Sequence, residues 1–136
     1  MQDVGEIMDS RVIAVAAEDR LLTVDDIMTL GNLRHMPVVR SGRLVGVVAE
    51  RDLLRASRSH LEYERADDRR AFLNSVEVSQ VMSSPAIVID AKASPRNAAR
   101  VMAENAIGCL PVTDDMGELL GMLTAGDLLA HLARGD

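Results

Sequence analysis

Two segments of this chain place an acid at the same spacing behind a glycine and an apolar pair. In Gly121-Met122-Leu123-Thr124-Ala125-Gly126-Asp127 a hydroxyl precedes the acid, whereas Gly46-Val47-Val48-Ala49-Glu50-Arg51-Asp52 has Ala49 at that position. Thr-x-x-Asp is a helix-capping pattern, in which the hydroxyl takes one free N–H of the first turn and the carboxylate reaches back to another. Taken alone, the spacing favours that structural role. Asp52 weakens it, because the acid is present where Ala49 offers no reciprocal hydroxyl, although any acid in a first turn gains from the helix dipole. Arg34 and His35 stand together just ahead of Met36-Pro37-Val38, a pair that a helix C-terminus would favour.

The remaining reactive residue types give no support for catalysis. Cys109 is the single cysteine, has no histidine in its motif and reads as a small buried filler. His35, His60 and His131 show no metal-ligand spacing, and His60 and His131 are expected at the surface near helix ends. Among eight methionines, Met8, Met28, Met36, Met82, Met102 and Met122 fall on apolar positions and read as core rather than as a copper or cofactor set. No activated nucleophile, acid–base pair or metal cluster can be assembled, so a non-catalytic protein without a cofactor is expected.

The elements that must position these residues are written twice. Residues 4 to 54 align with 78 to 129 with one insertion: Val4 and Met8 fall on Val78 and Met82, Met36-Pro37-Val38 on Leu110-Pro111-Val112, and Asp52-Leu53-Leu54 on Asp127-Leu128-Leu129. Each copy predicts strand, helix, strand, strand, helix. Val12 to Val15 and Ala86 to Ile89 are short β-branched runs expected as buried strands. Val24, Ile27 and Met28, and in the second copy Ala98, Val101 and Met102, make one apolar helical stripe. Ser94 before Pro95 predicts an N-cap and first turn. Arg40-Ser41-Gly42-Arg43 is expected to join two strands as a hairpin, with helices opening near Glu50 and near Gly126. Arg55 to Glu77 belongs to neither copy and mixes both charge signs, which predicts a solvated helical linker, some of whose arginines remain available to a ligand's phosphates.

Composition narrows the function classes. A formal net charge of −6 argues against non-specific nucleic-acid binding, which needs a basic face. Tyr63 and Phe72 are the only aromatics, so bases have no stacking platform and any base held here must lie between aliphatic side chains. Apolar runs are far shorter than the ~20 residues a membrane span requires. The segment Met1-Gln2-Asp3-Val4 lacks both a basic start and an apolar run, so no signal peptide and a cytoplasmic location are expected.

The order of elements, the Pro-Val dipeptide after the first helix and the Gly-h-h-x-x-x-Asp segment closing each copy resemble the cystathionine-β-synthase (CBS) repeat. Two in tandem resemble the Bateman module, over nearly all of residues 4 to 132. The resemblance implies an α/β fold of two pseudo-symmetric CBS repeats, each β-α-β-β-α, packed sheet to sheet. Repeat 1 would span 1–56, a helical linker 57–77 and repeat 2 78–136.

By the same resemblance, adenosine ligands sit in composite clefts between the repeats. The ribose meets the Asp and the Thr or Ser of Gly-h-h-[Thr/Ser]-x-x-Asp, where one carboxylate accepts from both ribose hydroxyls, and an open helix N-terminus favours phosphate. Carried over, the first cleft combines Arg34, His35, Val47 and Asp52 with Ser83, Val88, Ile107 and Gly108; the second combines Met122, Thr124 and Asp127 with Asp9, Ala14 and Leu33. Basic groups gather in the first, and Asp9 would repel phosphate in the second. A charged phosphate contact at ~1.5 to 3 kcal/mol outweighs the neutral hydroxyl bond lost at Ala49, ~0.5 to 1.5 kcal/mol, so phosphorylated adenosines are expected to prefer the first.

The expected function is therefore regulatory sensing of AMP, ADP, ATP or a related adenosine compound. The expected partners are a second copy, paired through Leu21 to Leu30, Leu53 to Leu61 and their counterparts, and an effector protein, with no nucleic acid or membrane involved. The rival reading is a structural dimerisation module that binds no nucleotide and passes conformational change to a partner.

Overall fold

The computed structural model describes residues 2–58 and 66–135. In chain order the elements are α1 (Val4–Ile7), β1 (Val15–Ala16), α2 (Leu21–Gly31), β2 (His35–Arg40), β3 (Arg43–Ala49), α3 (Glu50–Arg58), α4 (Ala66–Leu73), a 3-10 turn (Val78–Gln80), β4 (Ile89–Asp90), α5 (Pro95–Asn105), β5 (Cys109–Thr113), β6 (Leu119–Thr124) and α6 (Ala125–Ala133). The repeated strand, helix, strand, strand, helix order is thus present in both copies, as two three-stranded sheets with their helices. The chain forms two compact units: Ile13–Ala86, and the residues before Ile13 together with those after Ala86.

In the first of these, β1 runs parallel to β2, with Val15 opposite Val38, and α2 makes the crossover that parallel strands require. β2 and β3 form an antiparallel hairpin from His35 opposite Ala49 to Arg40 opposite Arg43. Its two-residue loop, Ser41-Gly42, has φ of 52° and 77°, the positive pair that matches the twist of the flanking strands. Val24 and Met28 of α2 meet Met36, Val38, Val48 and Leu53 in the core. Leu73 of α4 is fully buried in that core, and Arg69 and Arg70 of the same helix bond Asp25 and Asp26 of α2. Burying one leucine is worth ~1.5 to 3 kcal/mol, against ~0 to 1 for a surface ion pair, so Leu73 holds α4 in place.

The other unit repeats the plan. β4 is parallel to β5, with Ile89 opposite Val112, and β5 and β6 form a hairpin from Cys109 opposite Thr124 to Thr113 opposite Leu119. Ser94 caps α5 by accepting from the Asn97 N–H at 3.0 Å, with Pro95 in the first turn. α1 docks here: the N–H groups of Val4 and Gly5 donate to the carbonyls of Ala93 and Ala91, and Val4 is fully buried.

Each hairpin takes up a segment that precedes the other copy in sequence. Asp9 bridges Met122 through paired backbone bonds of 2.9 Å, and Ser83 bridges Val47 through bonds of 3.0 and 2.8 Å. Glycine makes the approach possible. A Cβ on Gly121 would lie 2.6 Å from the Asp9 carbonyl oxygen and 2.6 Å from Met8 Sδ; on Gly46 it would lie 2.6 Å from the Ser83 oxygen and 2.9 Å from Met82 Sδ.

Several expectations need correction. The first strand of each copy is Val15–Ala16 and Ile89–Asp90, not Val12 to Val15 and Ala86 to Ile89, and Ile13, Ile87 and Val88 are exposed. Only the residues that reach β2 and β5 can pair. The linker is less solvated than its charge pattern implies, because Leu73 is core and Arg69 and Arg70 are already paired with aspartates. His131 is buried, since it lies one turn beyond Leu128 on the inward face of α6. His60, and Leu61, which was expected to help pair with a second copy, lie outside the described residues.

Candidate functional site

Where each hairpin ends and its helix begins, the same small framework is built. In the Ile13–Ala86 unit the Arg34 carbonyl accepts from the Glu50 N–H at 2.9 Å, His35 sits opposite Ala49, and Asp52 Oδ2 accepts from the Ala49 N–H at 2.7 Å. Val47, further along β3, carries the Ser83 bridge. In the other unit the Gly108 carbonyl accepts from the Ala125 N–H at 2.9 Å, Cys109 sits opposite Thr124, and Asp127 Oδ2 accepts from the Thr124 N–H at 2.9 Å. Met122 carries the Asp9 bridge.

The carboxylates therefore cap in both copies. Thr124 and Asp127 form a full reciprocal box, the Asp127 N–H donating to Thr124 Oγ1 at 3.2 Å. Asp52 keeps half of it without a hydroxyl, so the view that Asp52 lacks a capping partner is corrected: its partner is the Ala49 backbone N–H. Among the described residues, only Oδ2 of each carboxylate is engaged, and Oδ1 remains open to a hydroxyl donor.

Charges at the two frameworks differ. Arg34 and Arg51 are exposed beside His35 and Asp52. Burial pushes the His35 imidazole below the ordinary histidine value, Arg51 lowers it further, Asp52 opposes, and Arg34 and Glu50 act oppositely and less. His35 is therefore neutral at neutral pH, and Arg34 alone of the expected basic pair offers a fixed positive charge. In the other unit Asp9 is held below the usual carboxylate range, chiefly by the backbone N–H of Arg11 that donates at 2.9 Å. The Arg11 guanidinium, 3.4 Å from Asp9, offsets part of that negative charge. Burial first, and the Asp127 charge second, push the Cys109 thiol up to about 12, which leaves no thiolate at neutral pH.

The Ile13–Ala86 unit thus brings together Arg34, His35, Val47, Asp52 and Ser83, and the other unit brings together Gly108, Met122, Thr124 and Asp127, with Asp9. Ala14, exposed just before β1, and Leu33, packed against the core, both belong to the Ile13–Ala86 unit. Val88, exposed before β4, and Ile107, packed on the core before β5, belong to the other unit. Sequence reasoning missed the Arg11–Asp9 contact and the neutral state of His35. Arg11 two residues after Asp9 was a legible signal; the burial of His35 was not. Among the described residues no cluster of His, Cys, Asp or Glu is placed to hold a metal ion, and no helix is long and apolar enough to cross a membrane.

The chain belongs to the CBS domain family, whose model matches residues 4–59 and again 78–134. It is 30% identical over 132 residues to a CBS domain-containing protein of Dictyostelium discoideum, covering 96% of this chain and 91% of that one. The structure superposes on the CBS domain pair of MJ0100, solved with 5′-methylthioadenosine and S-adenosyl-L-methionine, with a TM-score of 0.84 at 20% identity, covering 100% and 99% of the two chains. On CBSX2 in complex with AMP the TM-score is 0.80 at 24% identity, covering 98% of each. Several other curated relatives are longer, the chain spanning 49%, 25% and 21% of three of them.

Proposed function

We propose that this chain is a regulatory module that binds an adenosine nucleotide through its hairpin–helix frameworks. The observation that carries the reading is the carboxylate at the start of α3 and α6, which spends Oδ2 on the backbone and leaves Oδ1 for a ribose hydroxyl. The helix N-terminus beside each supplies N–H groups and a partial positive charge for a phosphate. Structural neighbours with AMP, S-adenosyl-L-methionine and methylthioadenosine share the adenosine moiety and support the ligand class. Arg34, His35, Val47, Asp52 and Ser83 of the Ile13–Ala86 unit are the residues proposed for the phosphorylated ligand, with Met122, Thr124 and Asp127 of the other unit for a second.

A thermal-shift panel of AMP, ADP, ATP, GMP and S-adenosylmethionine, each with and without Mg²⁺, tests this. A ligand at about 100 times its dissociation constant adds ~2.7 kcal/mol of stability, and adenosine compounds are expected to raise Tm while GMP does not. One observation favours the second reading, a structural dimerisation module: Asp52 and Asp127 already have a structural role, each accepting a backbone N–H at the start of its helix. A panel with no shift selects it. In either reading the output passes to an effector protein.

A further inference from the structure

At the framework of the Ile13–Ala86 unit, three nitrogen-bearing side chains are left without partners. Arg34 precedes β2, His35 opens it, and Arg51 lies in the first turn of α3. Arg34 and Arg51 are exposed and have no ion pair among the described residues. Neither ring nitrogen of the half-buried His35 has a hydrogen-bond partner among those residues, and neither is sealed from solvent. The ring can therefore exchange a proton with water and meet a group that enters the site.

The charges around the ring decide its state. Glu50, Arg51 and Asp52 act on it from α3 and Arg34 from the segment before β2, while β3 presents the apolar Ala49 opposite it. Burial and the two arginines outweigh the two acids, and the ring is held neutral. A phosphate brought to Arg34 and Arg51 reverses that balance, because an anion beside the ring favours the imidazolium and offsets the arginines. The imidazolium donates from both nitrogens, and its bond to a phosphate oxygen is charge-assisted. The other unit has no counterpart. Gly108 and Cys109 stand where Arg34 and His35 do, and a thiol pushed up to about 12 does not titrate near neutral pH.

We propose that this framework is a proton-linked sensor: His35 takes up one proton as a phosphorylated adenosine binds, so that affinity for the ligand rises as pH falls. This regulation rests on the nucleotide-binding reading above and gives the same site a second input. The coupling is reciprocal, since the factor by which nucleotide favours protonation equals the factor by which the proton favours nucleotide. The gain is fully present below the titration of the free ring and is lost as pH rises through that of the complex.

The test is calorimetric titration of AMP into the full chain and into His35→Gln at about pH 6.5, in Pipes and in Bis-Tris at matched ionic strength. The dependence of the observed heat on the buffer's ionisation enthalpy counts the protons taken up. The second ionisation of AMP itself, near pH 6, is common to both proteins, so their difference isolates His35. The parent is expected to take up more protons per AMP than the variant, and its affinity relative to the variant to grow about tenfold from about pH 8 to about pH 5.5. In the parent alone, the NMR titration midpoint of the His35 ring is expected to move to higher pH on saturation with AMP, but not with adenosine. Saturable AMP binding with equal proton counts in the two proteins, or a His35 midpoint that stays or falls, overturns the proton linkage and leaves nucleotide binding standing. An equal rise with adenosine also overturns it, because the phosphate is then not the coupled group. No saturable heat from the parent at any pH overturns nucleotide binding and the linkage together.

Discussion

Asp52 and Asp127 each commit one carboxylate oxygen to the fold, because Oδ2 satisfies the backbone N–H of the residue just before the helix, Ala49 or Thr124, while Oδ1 has no hydrogen bond among the described residues. Asp52→Ala removes the capping acceptor and is expected to cost ~0.5 to 2 kcal/mol, read by urea unfolding, whereas Asp52→Asn keeps an amide oxygen for the Ala49 N–H and should cost little. His35 carries a second residue-scale prediction. Its folded-state pKa is lowered, so the unfolded chain binds more protons below ~6.5, and the stability present above that value is lost as pH falls toward the folded one. The drop in unfolding free energy between about pH 7.5 and about pH 5 should therefore be smaller in His35→Gln than in the parent. The acids were readable from their spacing to Gly46 and Gly121. The protonation of His35 was not, since it depends on how much of the ring the fold covers. His131 was misplaced because a histidine in an apolar stripe is indistinguishable in sequence from one at a helix end.

At the scale of elements, the periodic stripes of α2 and α5, the Ser94-Pro95 start and the Ser41-Gly42 turn were legible, because each is dictated by local backbone chemistry. The short first strands were not, because β-branched runs at 12–15 and 86–89 look alike whether or not a neighbour is present to pair with them. The docking of α4 was equally hidden, its charges masking the single contribution of Leu73. Leu73→Ala should cost ~2 to 5 kcal/mol in denaturant unfolding, against under ~1 for Arg69→Ala. Gly46→Ala and Gly121→Ala are each expected to lose ~1 to 3 kcal/mol, because the added methyl meets backbone oxygen in the bridging segment. A pair of alanine variants as stable as the parent would show that the segments carrying Ser83 and Asp9 do not pack as described.

The whole molecule is a duplicated sequence whose compact units do not follow the duplication, since Val4 and Met8 pack with the second copy's hairpin and Val78 and Met82 with the first. The repeat, and hence the family, was visible because ordered apolar positions recur with their glycines and acids. The exchange of leading segments was not, because the alignment gives Met8 and Met82 equivalent places without saying which sheet each covers. Exposed Leu30 and Leu54, on helices α2 and α3, fit the proposed pairing with a second copy. Light scattering at tens of micromolar is expected to give twice the chain's 14.7 kDa, and a monomer would remove that proposal. The central claim, adenosine binding by the hairpin–helix frameworks, is met most directly by calorimetric titration of AMP into the parent, Asp52→Asn and Asp127→Asn proteins. Saturable binding by the parent is expected, with the tighter event lost in Asp52→Asn and kept in Asp127→Asn, because Arg34 and Arg51 lie beside Asp52 and the acidic Asp9 lies in the unit of Asp127. Loss in Asp127→Asn alone would reverse the assignment of the two frameworks, and no saturable heat from the parent would contradict the account.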